Sequence, residues 1–132
     1  MREKLNKLLN NSYSPYSNYK VCAIVVTNDN KEFSGVNIEN VSYGATVCAE
    51  RVAIFNAVSS GYRKNDFKEL HIASSGVHPF PCMLCRQVFT EFFTKDTKIF
   101  IYDKDKVTEY KYTDFCINEF RGISWKVDSF QS

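Results

Sequence analysis

Segments with helical and strand-like patterns alternate along most of the chain, and this order constrains the fold more than any other feature. Apolar residues at helical spacing or in short β-branched runs predict three helices and five strands. The helices are predicted over 3–11, 48–58 and 85–93, and the strands over 19–27, 32–38, 70–73, 98–102 and 107–112. Such alternation favours one sheet covered on both faces. The sequence therefore predicts an α/β fold, a three-layer α/β/α sandwich, with residues 114–132 left unassigned.

Length and charge narrow the class of protein. A chain of 132 residues is long enough for one buried core, so residues 1–132 are expected to form a single domain. The net charge is only +2 without a basic cluster, which favours a small-molecule partner over a nucleic acid. No apolar run approaches the roughly 18 residues of a membrane span, and residues 1–7 lack the apolar core of a signal peptide. We therefore expect a cytoplasmic protein without a membrane partner.

The five cysteines indicate metal binding or catalysis before disulfides, given the expected compartment. Cys82 and Cys85 have CxxC spacing at a predicted loop-to-helix junction, and soft thiolate donors favour zinc or iron. This spacing alone is a weak signal, because half of a structural zinc site or a redox dithiol also has it. A third cysteine, Cys48, opens another predicted helix. Three sulfur ligands predict a catalytic zinc ion, since structural zinc sites are closed by four protein ligands.

Two plainer interpretations of these cysteines stay open. The three thiols could be unrelated buried side chains, or a fourth ligand could close a structural site. The candidates for a fourth ligand are Cys22, Cys116, His71 and His78. Cys22 lies in an apolar strand and is interpreted as a small core residue. His71 is interpreted as a hydrogen-bonded core histidine, and His78 as a residue of a surface loop.

Charged residues accompany the cysteines. Glu50 is the candidate proton carrier, but residues at i and i+2 of a helix do not share a face. This role therefore requires Cys48 to lie at the frayed first turn. Amide groups at a helix N-terminus stabilise anions, which predicts lowered thiol pKa values for Cys48 and Cys85. Arg51 and Arg86 each directly follow a functional residue, and we expect one or both to draw electron density from the sulfurs.

These motifs together resemble one known family. Cys48-Ala49-Glu50-Arg51 is followed further along the chain by Pro81-Cys82 and by Cys85-Arg86-Gln87, and is preceded by Pro15-Tyr16-Ser17, Asn37-Ile38-Glu39-Asn40 and Tyr43-Gly44. The combination resembles the small, homotetrameric, zinc-dependent cytidine deaminases over about residues 5–112. The resemblance implies a mixed five-stranded sheet and one zinc ion per subunit on Cys48, Cys82 and Cys85. It also implies that Glu50 is the catalytic acid and base.

The resemblance further implies the contacts with the substrate. Asn37 and Glu39 match the pair that hydrogen-bonds the ribose hydroxyls, and Tyr19 occupies the position of a phenylalanine that packs near the base. The backbone of Ala49 and of the segment just before the CxxC motif would contact the pyrimidine edge. In the homotetramer, the segment around Tyr43 would help to close a neighbour's site.

Several positions depart from the usual pattern of that family. Cys22 stands where glycine is usual, Met83 and Leu84 stand where small residues are usual, and Phe80 stands where serine is common. A C-terminal leucine-leucine-proline motif is poorly matched by residues 115–117, although Phe120 matches its closing aromatic. These departures concern the wall of the pocket and leave the metal ligands untouched.

The predicted function is hydrolytic deamination of cytidine and deoxycytidine to uridine and deoxyuridine plus ammonia, in pyrimidine salvage. One alternative is a deaminase of a modified nucleoside, such as the blasticidin-type enzymes, although Arg51 and the Asn37–Glu39 pair argue against it. A second alternative, from a different class, is a zinc-stabilised binding module without turnover. Loss of the cytidine absorbance on addition of the pure protein distinguishes an enzyme from such a module.

Overall fold

The structure, a computed structural model, describes residues 1–120. The end of the predicted domain and of the unassigned tail, residues 121–132, lies outside the described residues. In chain order the elements are α1 (Arg2–Leu8), a 3₁₀ turn (Leu9–Asn11), β1 (Val21–Thr27), β2 (Glu32–Val36), a second 3₁₀ turn (Tyr43–Ala45), α2 (Ala49–Ser59), β3 (Phe67–Ser74), α3 (Met83–Phe92), β4 (Lys98–Tyr102), β5 (Val107–Lys111) and α4 (Tyr112–Phe115). Within this part of the chain, no helix has the length and apolar character needed to cross a membrane.

The five strands form one sheet in the order β2-β1-β3-β4-β5. Strand β1 pairs antiparallel with both β2 and β3, and β4 pairs antiparallel with β5. Strands β3 and β4 are parallel, because α3 forms the crossover between them. The predictions of an α/β fold and of a mixed five-stranded sheet are therefore confirmed.

The sheet has two apolar faces because successive side chains of a strand point to opposite sides. In β1, Ala23 and Val25 belong to the larger core cluster, which lies under α2 and α3. Ile24 and Val26 point the other way, toward Leu5 of α1. Helices α2 and α3 thus cover one face and α1 covers the other, which is the three-layer arrangement.

Helix α2 lies very close to the sheet. Its sheet-facing residues, Ala49, Ala53 and Ala57, recur every four positions and are fully buried. Gly35 of β2 lies directly beneath them, where a Cβ atom would be 2.4 Å from the backbone nitrogen of Ala53 and 2.5 Å from the carbonyl oxygen of Ala49. A residue without a side chain is required at this point, and the small residues on both sides set the position of the first turns of α2.

Several element boundaries differ from the prediction, among them the starts of α3 and β3. Helix α3 begins at Met83, whereas the prediction placed its start at Cys85. The prediction missed the first residues because they are exposed and do not contribute to the apolar stripe. Strand β3 begins at Phe67 rather than at residue 70, since Lys68 and Glu69 interrupt the apolar pattern while their backbone still pairs with neighbouring strands. The first difference matters for the site, since it makes Cys82 the N-cap residue of α3.

Candidate metal centre and active site

Three cysteine sulfurs converge where α2 and α3 begin. Cys48 is the N-cap residue of α2 and Cys82 is the N-cap residue of α3, each with an extended backbone. Cys85 follows in the first turn of α3. The three Sγ atoms lie within 4.8 Å of one another, and those of Cys48 and Cys82, 34 positions apart in sequence, are separated by 3.6 Å. Two helix N-termini thus form one cluster of sulfur donors.

The donor set fits a zinc ion. Zinc–sulfur bonds of about 2.3 Å in a tetrahedron place the sulfurs about 3.8 Å apart, which is close to the 3.6 Å between Cys48 and Cys82. Three protein ligands are also the number found in catalytic zinc sites. Among residues 1–120, no other cysteine, histidine, aspartate or glutamate joins this group. The alternative of a fourth ligand is therefore wrong for the described candidates, Cys22, Cys116, His71 and His78.

The thiols of the cluster differ in acidity. A hydrogen bond from Cys85 lowers the pKa of Cys48 to about 5, with further lowering by Arg51 and Cys82 against the effect of burial. The same bond, together with burial, raises the pKa of Cys85. The predicted lowering of the pKa is confirmed for Cys48 and wrong for Cys85, which is fully buried and acts as the donor to Cys48. Because zinc binds thiolates, metal binding displaces the thiol proton that Cys85 donates to Cys48.

Glu50 is buried beside the sulfurs, with only 4% of its surface exposed. The backbone of Cys48 is extended, so α2 begins at the next residue and Glu50 lies in its first turn. This is the arrangement that a metal ligand at Cys48 and a proton carrier at Glu50 require. Burial raises the pKa of Glu50 to about 7, against a hydrogen bond from its own backbone amide, and nearby Cys48 adds to the rise. A carboxyl group that titrates near neutrality can both accept and return a proton.

The two arginines contact different parts of the site. Arg51 donates from Nη2 to Sγ of Cys48 at 3.6 Å. Its Nε is buried and has no hydrogen-bond partner among the described residues. Arg86 donates from Nε to the carbonyl oxygen of Pro81 at 2.8 Å and lies over the ring of Phe115, 5.0 Å from the ring centroid. The expected arginine–sulfur contact is made by Arg51, whereas Arg86 holds the backbone that precedes the CxxC motif.

Asn37 and Glu39 are brought to the start of α2 by the backbone between them. Ile38 exchanges two backbone hydrogen bonds of 2.9 Å with Val47, the residue before Cys48. The N–H of Glu39 also donates to a carbonyl of the N-terminal segment at 2.8 Å. The predicted sugar-binding pair is therefore attached directly to the segment that carries the first metal ligand.

The side chains of this pair already bind the chain itself. Asn37 donates from Nδ2 to the carbonyl oxygen of Tyr19 at 2.8 Å and accepts from the N–H of Val21 at 3.0 Å. Glu39 accepts hydrogen bonds from the N–H and the hydroxyl of Ser17. Both residues therefore hold the segment that leads into β1.

Of the remaining predicted contacts, Tyr19 bonds the loop that precedes Cys82, Ala49 adjoins Cys48 in sequence, and Tyr43 lies on the surface. Tyr19 donates its hydroxyl to the carbonyl oxygen of Val77 at 3.2 Å, in the loop that leads to Cys82. Ala49 is fully buried as the first residue of α2. Tyr43 is 84% exposed in the second 3₁₀ turn.

Comparison with known proteins places the chain in a family. A family model described as the cytidine and deoxycytidylate deaminase zinc-binding region matches residues 1–101, which include the three cysteines and Glu50. The chain belongs to this family. It is 39% identical to the cytidine deaminase of Mycoplasma genitalium over 89% of this chain and 86% of that protein. It is 42% identical to that of Mycoplasma pneumoniae over 80% of each. A crystal structure of cytidine deaminase from Burkholderia pseudomallei matches with a TM-score of 0.83 and 37% identity, over 89% of this chain and 94% of that one.

Relative to the deaminase family pattern, the unusual residues around the CxxC motif lie at the surface. Met83 and Leu84 are 74% and 64% exposed, so their larger side chains meet solvent and displace nothing in the core. Phe80 is also exposed and packs edge-on against Phe115, with 6.4 Å between the ring centroids. The departures therefore change the rim of the cluster while leaving the sulfur positions intact.

The C-terminal segment of the described chain runs along α3. Cys116 donates from Sγ to the carbonyl oxygen of Arg86 at 3.6 Å. Gln87 donates from Nε2 to the carbonyl oxygen of Phe120 at 3.2 Å. This deaminase therefore places its poorly matched C-terminal motif beside the helix that carries two of the three sulfurs.

Two residues interpreted as core are confirmed as such. Cys22 is fully buried, and its Sγ donates to the carbonyl oxygen of Leu5 at 3.2 Å. His71 is buried between Tyr102, whose hydroxyl lies 2.8 Å from Nδ1, and Glu69, whose carboxylate lies 3.0 Å from Nε2.

One group near the site was missed by the sequence analysis. His78, interpreted as a surface loop residue, is half-buried and bonded to Asp103 and Tyr110. These residues are 25 and 32 positions away from it, and no motif connects them. Only the packing of β4 and β5 against the loop reveals the group.

Proposed function

We propose that this protein is a zinc-dependent hydrolase that converts cytidine and deoxycytidine to uridine and deoxyuridine plus ammonia, as part of pyrimidine salvage. The observation that carries the proposal is the buried carboxyl group of Glu50 beside three convergent sulfurs. Two relatives at 39% and 42% identity, which are named cytidine deaminases, support the choice of substrate.

In the proposed reaction, Cys48, Cys82 and Cys85 hold the metal ion. When bound, zinc supplies a Lewis acid that makes hydroxide available for attack near neutral pH. Glu50 accepts a proton of the attacking water and delivers it to the ring nitrogen of the pyrimidine. A bond from C4 to oxygen forms, the bond from C4 to the exocyclic nitrogen breaks, and Glu50 passes the second proton to the leaving amine. Arg51 withdraws electron density from the sulfur of Cys48, which keeps the metal electrophilic.

Asn37 and Glu39 are proposed to bind the ribose hydroxyls. Nδ2 of Asn37 carries two N–H groups and gives one of them to Tyr19. A carboxylate accepts about four hydrogen bonds, and the backbone and hydroxyl donors of Tyr16 and Ser17 take three of these places on Glu39. One donor and one acceptor therefore remain, which is a combination that suits a sugar diol.

The base is proposed to lie between backbone groups and Tyr19. The backbone of Ala49 begins α2, and the carbonyl oxygen of Pro81 is held in place by Arg86. Both groups adjoin proposed metal ligands in sequence, which supports their contact with a pyrimidine bound at the zinc ion.

We also propose a homotetramer with shared sites, in which Tyr43 of one subunit closes the site of a neighbour. Large apolar side chains are exposed among the described residues, and burial of such a surface favours association. Among the most exposed of them are Val41, Tyr43, Val77, Met83, Leu84 and Ile117. The cysteines are all free, which suits the proposed cytoplasmic location. Residues 1–132 are taken as one domain.

The decisive experiment measures the absorbance of cytidine with zinc-loaded protein and with Glu50→Gln. We expect wild-type turnover, and we expect Glu50→Gln to keep one zinc ion per chain while losing roughly 10²–10⁴-fold in kcat. Glu109→Gln, an exposed carboxylate of β5, is the matched control and should behave as wild type.

Three outcomes would count against the proposal. Wild-type protein without turnover on cytidine, deoxycytidine, cytosine, CMP and adenosine would point to a binding module. Turnover confined to a modified nucleoside would favour the blasticidin-type alternative. Loss of zinc together with activity in Glu50→Gln would show that the glutamate supports the metal site and does not carry protons.

A further inference from the structure

A half-buried polar group joins the loop that leads to Cys82 to the neighbouring hairpin. Nδ1 of His78 is 2.6 Å from Oδ2 of Asp103, and Nε2 of His78 is 3.0 Å from the hydroxyl oxygen of Tyr110. Asp103 follows β4 and Tyr110 lies in β5, so both partners belong to the β4–β5 hairpin. The imidazole is thus held at both nitrogens by residues of the hairpin, and only 22% of its side chain is exposed.

The loop that carries His78 is held at three points. At its start, the carbonyl oxygen of Val77 accepts from the hydroxyl of Tyr19 at 3.2 Å and from that of Ser74 at 2.8 Å. At its end, the carbonyl oxygen of Pro81 accepts from Nε of Arg86 at 2.8 Å. Between these points, the side chain of His78 is the polar anchor.

His78 also fixes the residue that directly precedes Pro81. The N–H of Phe80 donates to the carbonyl oxygen of His78 at 3.0 Å. The rings of His78 and Phe80 meet edge-on with 4.5 Å between their centroids. The ring of Phe80 also packs edge-on against that of Tyr110, with 6.1 Å between the centroids. Movement of the imidazole would therefore be transmitted to the backbone of Phe80 and Pro81.

We propose that His78, held by Asp103 and Tyr110, is a positioning residue that fixes the backbone of residues 80–81 against the pyrimidine base. The inference rests on the proposed function, in which this segment contacts the edge of the base. Neither the metal ligands nor Glu50 bond to this group. The group therefore acts on the binding of the base and leaves the proton transfers unchanged.

The test removes one hydroxyl group. Tyr110→Phe eliminates the bond to Nε2 of His78 while keeping the ring that packs on Phe80 and Phe115. Loss of a contact with the base that is equally strong in the substrate complex and in the transition state raises KM and leaves kcat unchanged. Because one hydrogen bond is worth about a factor of ten, we expect KM for cytidine to rise about five- to tenfold with kcat within about twofold of wild type. Zinc content should be unchanged, and loss of one partly buried hydrogen bond should lower the melting temperature by only a few degrees.

Tyr62→Phe is the matched control, because it also removes a tyrosine hydroxyl that hydrogen-bonds a polar side chain, here that of Asp29. The hydroxyl of Tyr62 lies 2.9 Å from Oδ2 of Asp29, just beyond the C-terminal end of α2. That end is about 16 Å from the sulfurs along the helix axis, and KM should not change there. Asp103→Asn is a second variant, which weakens the anchor from the other side of the imidazole and should raise KM in the same way.

The outcomes are separable. An unchanged KM in both Tyr110→Phe and Asp103→Asn would overturn the inference, and so would a fall in kcat or zinc content of the same size as the rise in KM. Absence of cytidine turnover in the wild-type protein would instead refute the proposed function.

Discussion

Replacement of Gly35 by alanine tests whether the approach of α2 to the sheet sets the geometry of the sulfur cluster. In the wild-type structure, an added Cβ would meet the backbone nitrogen of Ala53 at 2.4 Å, whereas ordinary contacts begin at 3.4 Å. The two nearest atoms belong to the helix backbone, so no rotation of a side chain relieves the contact. The helix must therefore move away from β2 by about 1 Å, the difference between these two distances.

A shift of this size has two consequences with different magnitudes. Overpacking of a core costs typically about 1–3 kcal/mol, which lowers the melting temperature of a chain of this length by roughly 3–15 °C. Cys48 and Glu50 move with α2, whereas Cys82 and Cys85 belong to α3. Metal–ligand distances tolerate deviations of only about 0.2 Å. A shift of Cys48 relative to Cys82 and Cys85 should therefore lower the affinity for zinc. A misplacement of about 1 Å also costs on the order of 100-fold in turnover.

Thermal unfolding, chelator competition for zinc and cytidine turnover measure these effects on the same preparation. Gly44→Ala is the control, because a Cβ at Gly44 has no atom within 4 Å and its backbone is not in the left-handed region. We expect wild-type stability and zinc affinity for the control. A Gly35→Ala protein with wild-type melting temperature and zinc affinity would show that the close contact between β2 and α2 does not determine the site.

Two further predictions follow from the same geometry. Arg51→Ala removes the N–H···S contact to Cys48 and should lower zinc affinity or turnover about 10–100-fold, whereas Arg63→Ala, at the far end of α2, should lower neither. Chelator competition and kinetics check this, and equal values for both variants would leave Arg51 without a role at the metal. Burial raises the pKa of Cys22 to about 12 from 9.0, so the stability that it contributes is complete below pH 9 and is lost as pH rises toward 12. Urea unfolding at pH 8 and pH 10 should show a smaller alkaline decline for Cys22→Ala than for wild type, and equal declines would contradict the assignment.

Much of the candidate site could be predicted from the sequence because its signals are local. The CxxC spacing of Cys82 and Cys85 and the closeness of Cys48 to Glu50 identify donor atoms and a proton carrier without knowledge of the fold. The element order was also predictable, since apolar periodicity belongs to each segment separately. The motifs around Asn37 and Tyr43 suggested a family in the same way, and the family model that matches residues 1–101 confirms the family.

Element boundaries and acidities were less predictable because they depend on neighbours in space. The start of α3 at Met83 is set by the cap at Cys82, and the exposed first turn gives no periodic signal. The pKa of Cys85 is raised rather than lowered, because of its hydrogen bond to Cys48 and its burial. The position of Cys85 at the start of a helix can be predicted from the sequence, but its burial and its bond to Cys48 cannot.

The sequence by itself therefore identified the candidate metal donors, the candidate proton carrier and the elements that form the sheet. Only the tertiary structure decided how the site is held: Gly35 beneath α2, Arg51 on the sulfur of Cys48, and the His78 group between the loop and the β4–β5 hairpin. The physical reason is the distance along the chain over which each property is set. Ligand identity and periodicity are properties of short segments, whereas close packing and burial join residues that are far apart in the chain and have no pattern in common.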